Sequence, residues 1–209
     1  SRIYVNNITA KATSGSTEAA INAPHSRYAT VTDFNFDGFN AGWRQVFSGQ
    51  DNLLKDGLFK NIKTYAANID LLGGASDPDG NVIDNVKFVD INTNAVAGAA
   101  GSAIQLGECQ NTTVKNCILG EAGVTTETAT YFVYVSPNEA FNAKIYGNHT
   151  YDTSTGYDMY VGPAGVGDEN ALIVNNTATA GITGFGGVRF IQIGKNRVQE
   201  GISAPGAGT

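Results

Sequence analysis

The sequence of 209 residues predicts an all-β fold built as a solenoid, in which short strands stack coil upon coil. A short strand motif recurs eight times at intervals of 20 to 31 residues, which is the repeat length expected of such an architecture. Helical heptads and long apolar patterns with a 3.6-residue period are absent from the sequence. Hydrophobic residues make up 42% and charged residues 15% of the chain, so it can bury a substantial core as a single domain.

The repeated motif consists of an apolar residue, a variable residue, then Asn, Asp or Gly in most copies, and further strand-forming residues. Its copies begin at Tyr4, Val31, Leu54, Ile83, Val114, Ile145, Ile173 and Ile193. Asn, Asp and Gly tolerate a left-handed backbone better than other residues, whereas a β-branched residue is strained there. We therefore expect a left-handed residue at the third position of the motif.

Stacking of coils should align equivalent residues in columns that run along the solenoid. The column five residues after the motif start is apolar and largely aromatic: Phe36, Phe59, Phe88 and Leu119. The column three residues after the motif start carries small polar groups: Cys117, Asn148, Asn176 and Asn196. These columns predict a buried aromatic ladder, and a hydrogen-bonded Asn ladder that continues from a buried Cys117 thiol.

Charge and residue counts exclude several classes of function. The net charge is −6 and there is no basic run, which argues against binding to nucleic acid. No apolar stretch approaches the roughly 20 residues that a membrane span needs, so membrane insertion is not expected. Two cysteines and two histidines make a zinc site an unfavourable hypothesis, and we predict neither a metal nor a cofactor.

The motif run Val114–Leu119, which reads VKNCIL, and the Asn and Phe columns resemble the right-handed parallel β-helix of pectate lyase-like proteins and bacteriophage tailspikes. This resemblance implies a right-handed parallel β-helix of about seven coils. It covers residues 1–198, and residues 199–209 read as a linker-like tail. Because the first motif begins almost at residue 1, we expect the sequence to be a fragment of a longer chain.

The second strand of each coil is predicted to alternate between an inward and an outward side. The predicted inward residues are Ile104, Val133, Met159 and Ile191. The predicted outward residues are Val46, Leu71, Gln105, Tyr134, Tyr160 and Gln192, flanked by Ile69, Phe132, Asp158 and Phe190. Because a strand that is apolar on both sides is normally covered on both sides, we expect another subunit, a carbohydrate ligand or a loop of this chain to cover the outward face.

Five residues of this outward face are candidates for carbohydrate binding or for a subunit interface: Phe132, Tyr134, Asp158, Tyr160 and Phe190. Tyr134 and Tyr160 fall in one column on neighbouring coils, about 4.8 Å apart if the coils are in register. Such a pair can form a flat platform for pyranose rings. The resemblance to tailspikes, which are homotrimers, favours a subunit interface.

Three acidic residues lie seven positions after successive motif starts: Asp90, Glu121 and Asp152. If the register holds through the turn, neighbouring carboxylates would be about 5 Å apart and alternate ones about 10 Å apart. These distances bracket those of retaining and inverting glycoside hydrolases, in which one carboxyl is a general acid and another a nucleophile or base. The alternative is that all three are solvated turn residues whose side chains point apart.

The resemblance implies a phage tailspike or tail-fibre segment, in the virion tail or extracellular, that binds and cleaves bacterial surface polysaccharide as a homotrimer. Cleavage would be glycoside hydrolysis by the carboxylate pair. A secreted, monomeric polysaccharide lyase or epimerase of the pectate lyase-like group is one alternative. A structural or adhesive solenoid without catalysis is another.

Overall fold

The computed structural model describes residues 2–13, 17–23, 25–46, 49–70, 79–97, 101–107, 109–122, 128–135, 140–151, 157–161, 170–179, 181–184, 190–198 and 202–203. These residues form strands and turns and contain no α-helix, as the sequence predicts. All strand pairings between them are parallel, so the all-β, solenoid-like character of the prediction is supported.

The strands, numbered in chain order, fall into two large sheets and one small pair. The first sheet contains β1 (Ile3–Lys11), β3 (Ala29–Asp37), β5 (Leu53–Ile62), β7 (Val82–Ile91), β10 (Thr113–Lys115), β11 (Ile118–Leu119), β14 (Ala143–Tyr146), β15 (His149–Thr150), β17 (Asn170–Val174), β18 (Thr177–Ala178), β20 (Phe190–Gly194) and β21 (Arg197–Val198). The second contains β2 (Ala19–Asn22), β4 (Ala41–Val46), β6 (Ala67–Asp70), β8 (Ile104–Leu106), β12 (Val133–Val135), β16 (Tyr157–Val161), β19 (Gly181–Gly184) and β22 (Ile202–Ser203). The pair is β9 (Cys109–Gln110) with β13 (Ala140–Phe141).

Hydrogen-bonded neighbours in these sheets come from successive passes of the chain. Residues that meet across the stack are separated in sequence by 23, 29, 31, 28 and 20 positions in different pairs of passes. The second sheet continues beyond residue 198, because Ile202 pairs with Ile182. The strands therefore keep their register while the lengths of the connections between them vary.

A column of left-handed residues runs along the first sheet, as the motif predicts. Its members are Asn7, Asp33, Asp56, Asn85, Asn116, Gly147, Asn175 and Lys195. The first motif is displaced by one residue from its predicted position, because Val5, not Tyr4, pairs with Val31. The left-handed residue bends each pass, and from Asn116 onward the bend divides the strand into two short ones.

The predicted aromatic ladder is the centre of the core. Phe36, Phe59 and Phe88 are at most 1% exposed, and neighbouring ring centroids in this column are 5.8 Å apart. Phe34 joins them, with its ring centroid 4.9 Å from that of Phe59. Leu119 continues the column opposite Phe88. Burying each of these side chains contributes roughly 1.5–3 kcal/mol to folding.

The predicted Asn ladder is also present. The Asn148 side chain accepts a hydrogen bond from the Cys117 N–H (2.9 Å) and donates to the Val114 carbonyl (3.1 Å) and to Asn176 Oδ1 (3.0 Å). Asn176 repeats this arrangement with Asn196 on the next pass. Each buried amide therefore satisfies backbone groups that the bend would otherwise leave without partners.

Cys117 begins this ladder as a buried thiol. Burial, with a smaller contribution from the nearby Asp84 carboxylate, raises the pKa of this thiol to about 12. At pH 8 only about one molecule in 10⁴ then carries the reactive thiolate at Cys117. Because Cys109 is also fully buried, we expect Ellman's reagent to label neither cysteine in the folded protein and both in guanidinium chloride. Rapid labelling of one thiol under native conditions would contradict this burial.

The second sheet corrects part of the predicted columns. Ile104, Val133 and Met159 do form one buried, inward column, but Ile182 continues it. Ile191 and Gln192 belong instead to β20 of the first sheet. On the outward side Gln105 pairs with Asn68. The predicted partner Leu71 lies outside the described residues.

Candidate functional site

Three tyrosines cluster on the outward side of the second sheet. Tyr134 and Tyr160 are paired in register on β12 and β16, as predicted. Their ring centroids are 5.4 Å apart and the ring planes differ by 8°. Tyr131 completes the cluster, with its centroid 4.7 Å from Tyr160 and 5.8 Å from Tyr134. We refer to Tyr131, Tyr134 and Tyr160 as the tyrosine cluster.

The rings of the tyrosine cluster pack against one another. Tyr134 and Tyr160 are stacked and do not lie side by side in one plane, so they do not form the flat platform that the sequence suggests. A stacked pair uses part of each ring face within the pair, so contact with a ligand or a partner would be made mainly through the ring edges. The cluster is therefore suited to hydrogen bonding through its phenols, with apolar contact from the ring edges.

Burial raises the pKa of the Tyr134 phenol, and the neighbouring Tyr160 raises it further. Because the pKa of the Tyr134 phenol is higher in the folded than in the unfolded chain, the unfolded chain loses the phenol proton at a lower pH. The stabilisation linked to the proton is complete below about pH 10 and is lost as the pH rises through the folded pKa. At neutral pH the Tyr134 hydroxyl is therefore available as a hydrogen-bond donor.

A spectrophotometric titration tests this electrostatic environment. In the folded protein we expect one phenol to ionise at higher pH than in guanidinium chloride, where all nine tyrosines should titrate near about 10. Tyr134→Phe should remove this late-titrating group. A native titration curve that is the same for wild type and Tyr134→Phe, apart from the overall amplitude, would show that burial does not affect Tyr134.

Polar side chains continue the column that Tyr134 and Tyr160 begin. Tyr134 pairs with Gln105, Gln105 with Asn68, and Asn68 with Arg44 on successive strands. The Asn68 amide donates a hydrogen bond to Gln105 Oε1 (3.1 Å), and Arg44 is exposed. Four strand intervals of about 4.8 Å make this row about 19 Å long. We call the five residues from Arg44 to Tyr160 the outer stripe.

Asn68 has an unusual environment for a residue on an outward face. Its side chain is 8% exposed, and its Oδ1 atom has no hydrogen-bond partner in the described part of the structure. A buried acceptor without a partner costs about 1–3 kcal/mol. Because the Asn68 Oδ1 atom is itself buried, this cost is internal to the sheet and the groups of the outer stripe that a ligand can reach lie on its other members.

The structure does not bring the other three predicted residues to the outer stripe. Phe132 is fully buried and its ring centroid is 5.8 Å from that of Phe88 in the core. Asp158 is also fully buried, and its carbonyl accepts the Phe132 N–H at 2.7 Å. Phe190 lies on β20 of the first sheet, opposite Asn170, and its side chain is outside the described residues. The regular outward alternation begins only after Phe132 and Asp158, because β12 starts at Val133 and β16 has an irregular register between Tyr157 and Met159.

The turn that carries the predicted acidic column differs between two successive passes. Phe88 and Leu119 are paired, but the next left-handed residue is Asp90 on one pass and Gly120 on the other. The turn comes two residues after Phe88 and one residue after Leu119, so Glu121 lies beyond the bend that Asp90 occupies. Asp152 is outside the described residues.

Glu121 is paired with a lysine, which affects what it can do chemically. Its carboxylate accepts a hydrogen bond from Lys87 Nζ, and both side chains are exposed. The hydrogen bond and the charge of Lys87 lower the pKa of Glu121. A general acid needs the opposite shift. Glu121 is therefore suited to an ion pair on the surface of the first sheet.

No protein-family model, curated protein or solved structure matches this chain. In the part of the chain that the structure describes, no set of three His, Cys, Asp or Glu side chains converges as a metal site would require. The same residues include no helix of the length and apolar character needed to span a bilayer.

The sequence pattern did not identify Tyr131 as a member of the site. Strict alternation from Tyr134 places Tyr131 on the opposite face. The chain bends at Phe132 immediately before β12, which brings Tyr131 back to the outward side. Tyr131 and Tyr134 follow Arg44 by 87 and 90 residues. No local pattern in the sequence therefore connects them with Arg44, because only the stacking of strands brings them into one row.

Proposed function

We propose that this chain is a right-handed parallel β-helix segment of about seven coils from a phage tailspike or tail fibre, which binds bacterial surface polysaccharide. The parallel stacking and the repeated left-handed column support the fold. The assignment to a virion tail or an extracellular location, and to a homotrimer, follows the resemblance in the motifs. The tyrosine cluster is chemically suitable for a subunit contact beside the bound glycan.

The observation that carries the binding proposal is the outer stripe. It places a guanidinium, two amides and two phenols in one row on successive strands. Saccharides expose many hydroxyls beside apolar C–H surfaces, and a row of polar groups ending in aromatic edges matches both features.

Binding without cleavage is better supported than hydrolysis by Asp90, Glu121 and Asp152. The Lys87 ion pair lowers the pKa of Glu121, whereas a glycosidase acid requires a raised one. The left-handed residue of the turn also comes two positions after Phe88 but only one position after Leu119, so the turns that carry Asp90 and Glu121 differ in conformation. We therefore propose that the outer stripe binds glycans. Glycoside hydrolysis is the second candidate function of this chain.

Binding to purified capsular and O-antigen polysaccharides, measured on a glycan array and then by calorimetry, tests the proposal. We expect Tyr134→Ala and Tyr160→Ala each to weaken binding at least tenfold, because each removes a ring and a hydroxyl from the stripe. Tyr151→Ala is the matched control, since Tyr151 is exposed and packs against His149 on the first sheet. Equal losses in all three variants, or no binding to any polysaccharide, would contradict the proposal.

Product analysis separates the related functions. New reducing ends would indicate a glycosidase, products that absorb as unsaturated uronates would indicate a lyase, and an unchanged polymer would indicate binding alone. Light scattering should give a mass near three times 21.8 kDa for the proposed homotrimer. A mass near 21.8 kDa would contradict the trimer.

A further inference from the structure

The tyrosine cluster brings oxidisable rings from two passes of the chain into direct contact. The ring centroid of Tyr160 on β16 lies 4.7 Å from that of Tyr131 and 5.4 Å from that of Tyr134. Both pairs are stacked, with interplanar angles of 29° and 8°. Tyr160 therefore contacts two phenol rings that belong to the preceding pass.

The backbone holds these rings in position. Tyr134 and Tyr160 are register partners on the parallel strands β12 and β16, which lie about 4.8 Å apart. The residues before them, Val133 and Met159, are partners as well, and both are fully buried. Because the two strands are fixed by their hydrogen bonds and by these buried neighbours, the rings stay close together in the folded protein.

Phenol rings held in this way can be joined by oxidation. A one-electron oxidant removes an electron from each of two tyrosines, each hydroxyl proton passes to water, and two phenoxyl radicals remain. The radicals combine through a carbon–carbon bond between ring positions next to the C–O bonds, and each ring then moves the hydrogen of the bonded carbon to its oxygen. The product, dityrosine, has lost two hydrogen atoms, and one molecule of hydrogen peroxide takes up the two electrons and two protons to form two molecules of water.

The side chains that oxidants attack most readily in proteins are buried in this chain. Cys109, Cys117 and Met159 are completely buried, and Trp43 is 2% exposed. Met159 and Trp43 are the only methionine and the only tryptophan of the sequence. Cysteine oxidation follows exposure and thiolate character, and Cys117 has neither. The three partly exposed rings of the tyrosine cluster are therefore more accessible to an oxidant than any of these side chains.

Exposure alone does not make a coupling site. Tyr28 and Tyr151 are 52% and 37% exposed. Arg2 lies over the ring of Tyr28, and the ring of Tyr151 packs against His149 with the centroids 4.3 Å apart. Neither of these contacts offers a second phenol, whereas each ring of the tyrosine cluster contacts two.

We propose that the tyrosine cluster is an oxidative cross-linking site, at which a one-electron oxidant generated from hydrogen peroxide couples Tyr160 to Tyr131 or Tyr134 of the same chain. The new bond joins two successive passes of the stack covalently. This inference does not rest on glycan binding, because the ring contacts on which it depends exist without a ligand.

The cross-link should stabilise the fold by closing a loop of the chain. Tyr160 follows Tyr131 by 29 residues and Tyr134 by 26 residues. A covalent bond across a loop of this length restricts the unfolded chain, as a disulfide does. We expect the cross-linked protein to have a melting temperature at least about 5 °C above that of the untreated protein.

Peptide mapping after oxidation by a small haem peptide and hydrogen peroxide tests the proposal. Trypsin cleaves after Lys115, Lys144 and Arg189, so residues 116–144 carry Tyr131 and Tyr134, and residues 145–189 carry Tyr160. We expect these two peptides to be joined, with a mass two hydrogen atoms below their sum, and fragmentation to place the bond on Tyr160. The product should keep the single-chain mass of 21.8 kDa under denaturing conditions. Its yield should not depend on protein concentration, because the reaction is intramolecular.

Phenylalanine substitutions test the role of Tyr160 while keeping every ring. Tyr160→Phe should lower the yield of joined peptides at least tenfold. Tyr131→Phe and Tyr134→Phe should each lower it less than threefold, because each leaves one stacked phenol beside Tyr160, and the double variant should match Tyr160→Phe. Tyr151→Phe is the matched control and should leave the yield unchanged, since Tyr151 belongs to the same tryptic peptide as Tyr160. Fragmentation of the wild-type product locates the bond without depending on any variant.

Several results would overturn the proposal. One is the absence of joined peptides under conditions that oxidise the exposed Tyr151. Another is a yield that Tyr160→Phe leaves unchanged, and a third is a product of twice the single-chain mass, which would assign the coupling to two chains. An unchanged melting temperature of the cross-linked protein would contradict the covalent joining of passes. Polysaccharide is absent from this experiment, so a failure of glycan binding and a failure of cross-linking are distinguished.

Discussion

Asn148→Ala should lower the free energy of unfolding by about 3 kcal/mol. The Asn148 side chain is 2% exposed and bonds to the Cys117 N–H, the Val114 carbonyl and Asn176 Oδ1. Alanine removes these bonds and leaves a buried N–H and a buried carbonyl without this partner, and each such group costs about 1–3 kcal/mol. Urea denaturation monitored by circular dichroism measures the change.

The control for this substitution is Asn35→Ala. Asn35 is exposed on β3, so its replacement should change the free energy of unfolding by no more than about 0.5 kcal/mol. If the two variants lose the same stability, the hydrogen-bonded Asn ladder does not stabilise the stack in the way described here. A change in the slope of the urea transition would point to an effect on the unfolded state.

Phe59→Ala should destabilise the protein by about 3–5 kcal/mol, the range found for deleting a fully buried aromatic side chain. Phe59 is completely buried, and its ring lies 4.9 Å from Phe34, 5.8 Å from Phe36 and 5.8 Å from Phe88, measured between centroids. Alanine leaves a cavity between rings that are held on the two neighbouring strands, β3 and β7. Thermal and urea unfolding both measure the loss.

Phe59→Leu is the matched control, since leucine already occupies this column at Leu119. It should cost less than half as much as Phe59→Ala, because it keeps most of the apolar volume in the core. Equal destabilisation by the two variants would show that ring stacking, and not filled volume, is the main contribution of Phe59.

The sequence could predict the columns of the first sheet because each pass carries its own marker. A left-handed Asn, Asp or Gly marks every pass of the first sheet up to Asn175, and the positions of Phe88 and Asn148 follow from it by counting a few residues along a regular strand. The structure confirms these columns. The first motif differs by one residue because Asn6 and Asn7 are adjacent, and either could occupy the bend.

The second sheet could be predicted only in part because its strands lack such a marker. The sequence pattern aligns Tyr134 with Tyr160, and the structure confirms this pair. The same pattern predicts Leu71 as the neighbour of Gln105, whereas the structure pairs Gln105 with Asn68. The connections that lead into these strands differ in length. Counting residues from the marker in the first sheet therefore does not reach equivalent positions in successive strands of the second sheet. The acidic column of Asp90, Glu121 and Asp152 stays a prediction, since Asp152 lies outside the described residues. The turn before it does vary, because the left-handed residue comes two positions after Phe88 on one pass and one position after Leu119 on the next.

The unequal separations along the stack, from 20 to 31 residues between partners, have a consequence for how this chain can change. The interior accepts very little variation, because each side chain there is fixed by the strands on either side. The connections accept insertions and deletions without disturbing the strands that they join. Evolution can therefore alter what the perimeter recognises while the scaffold is inherited unchanged, and grafted loops should be tolerated at the same places.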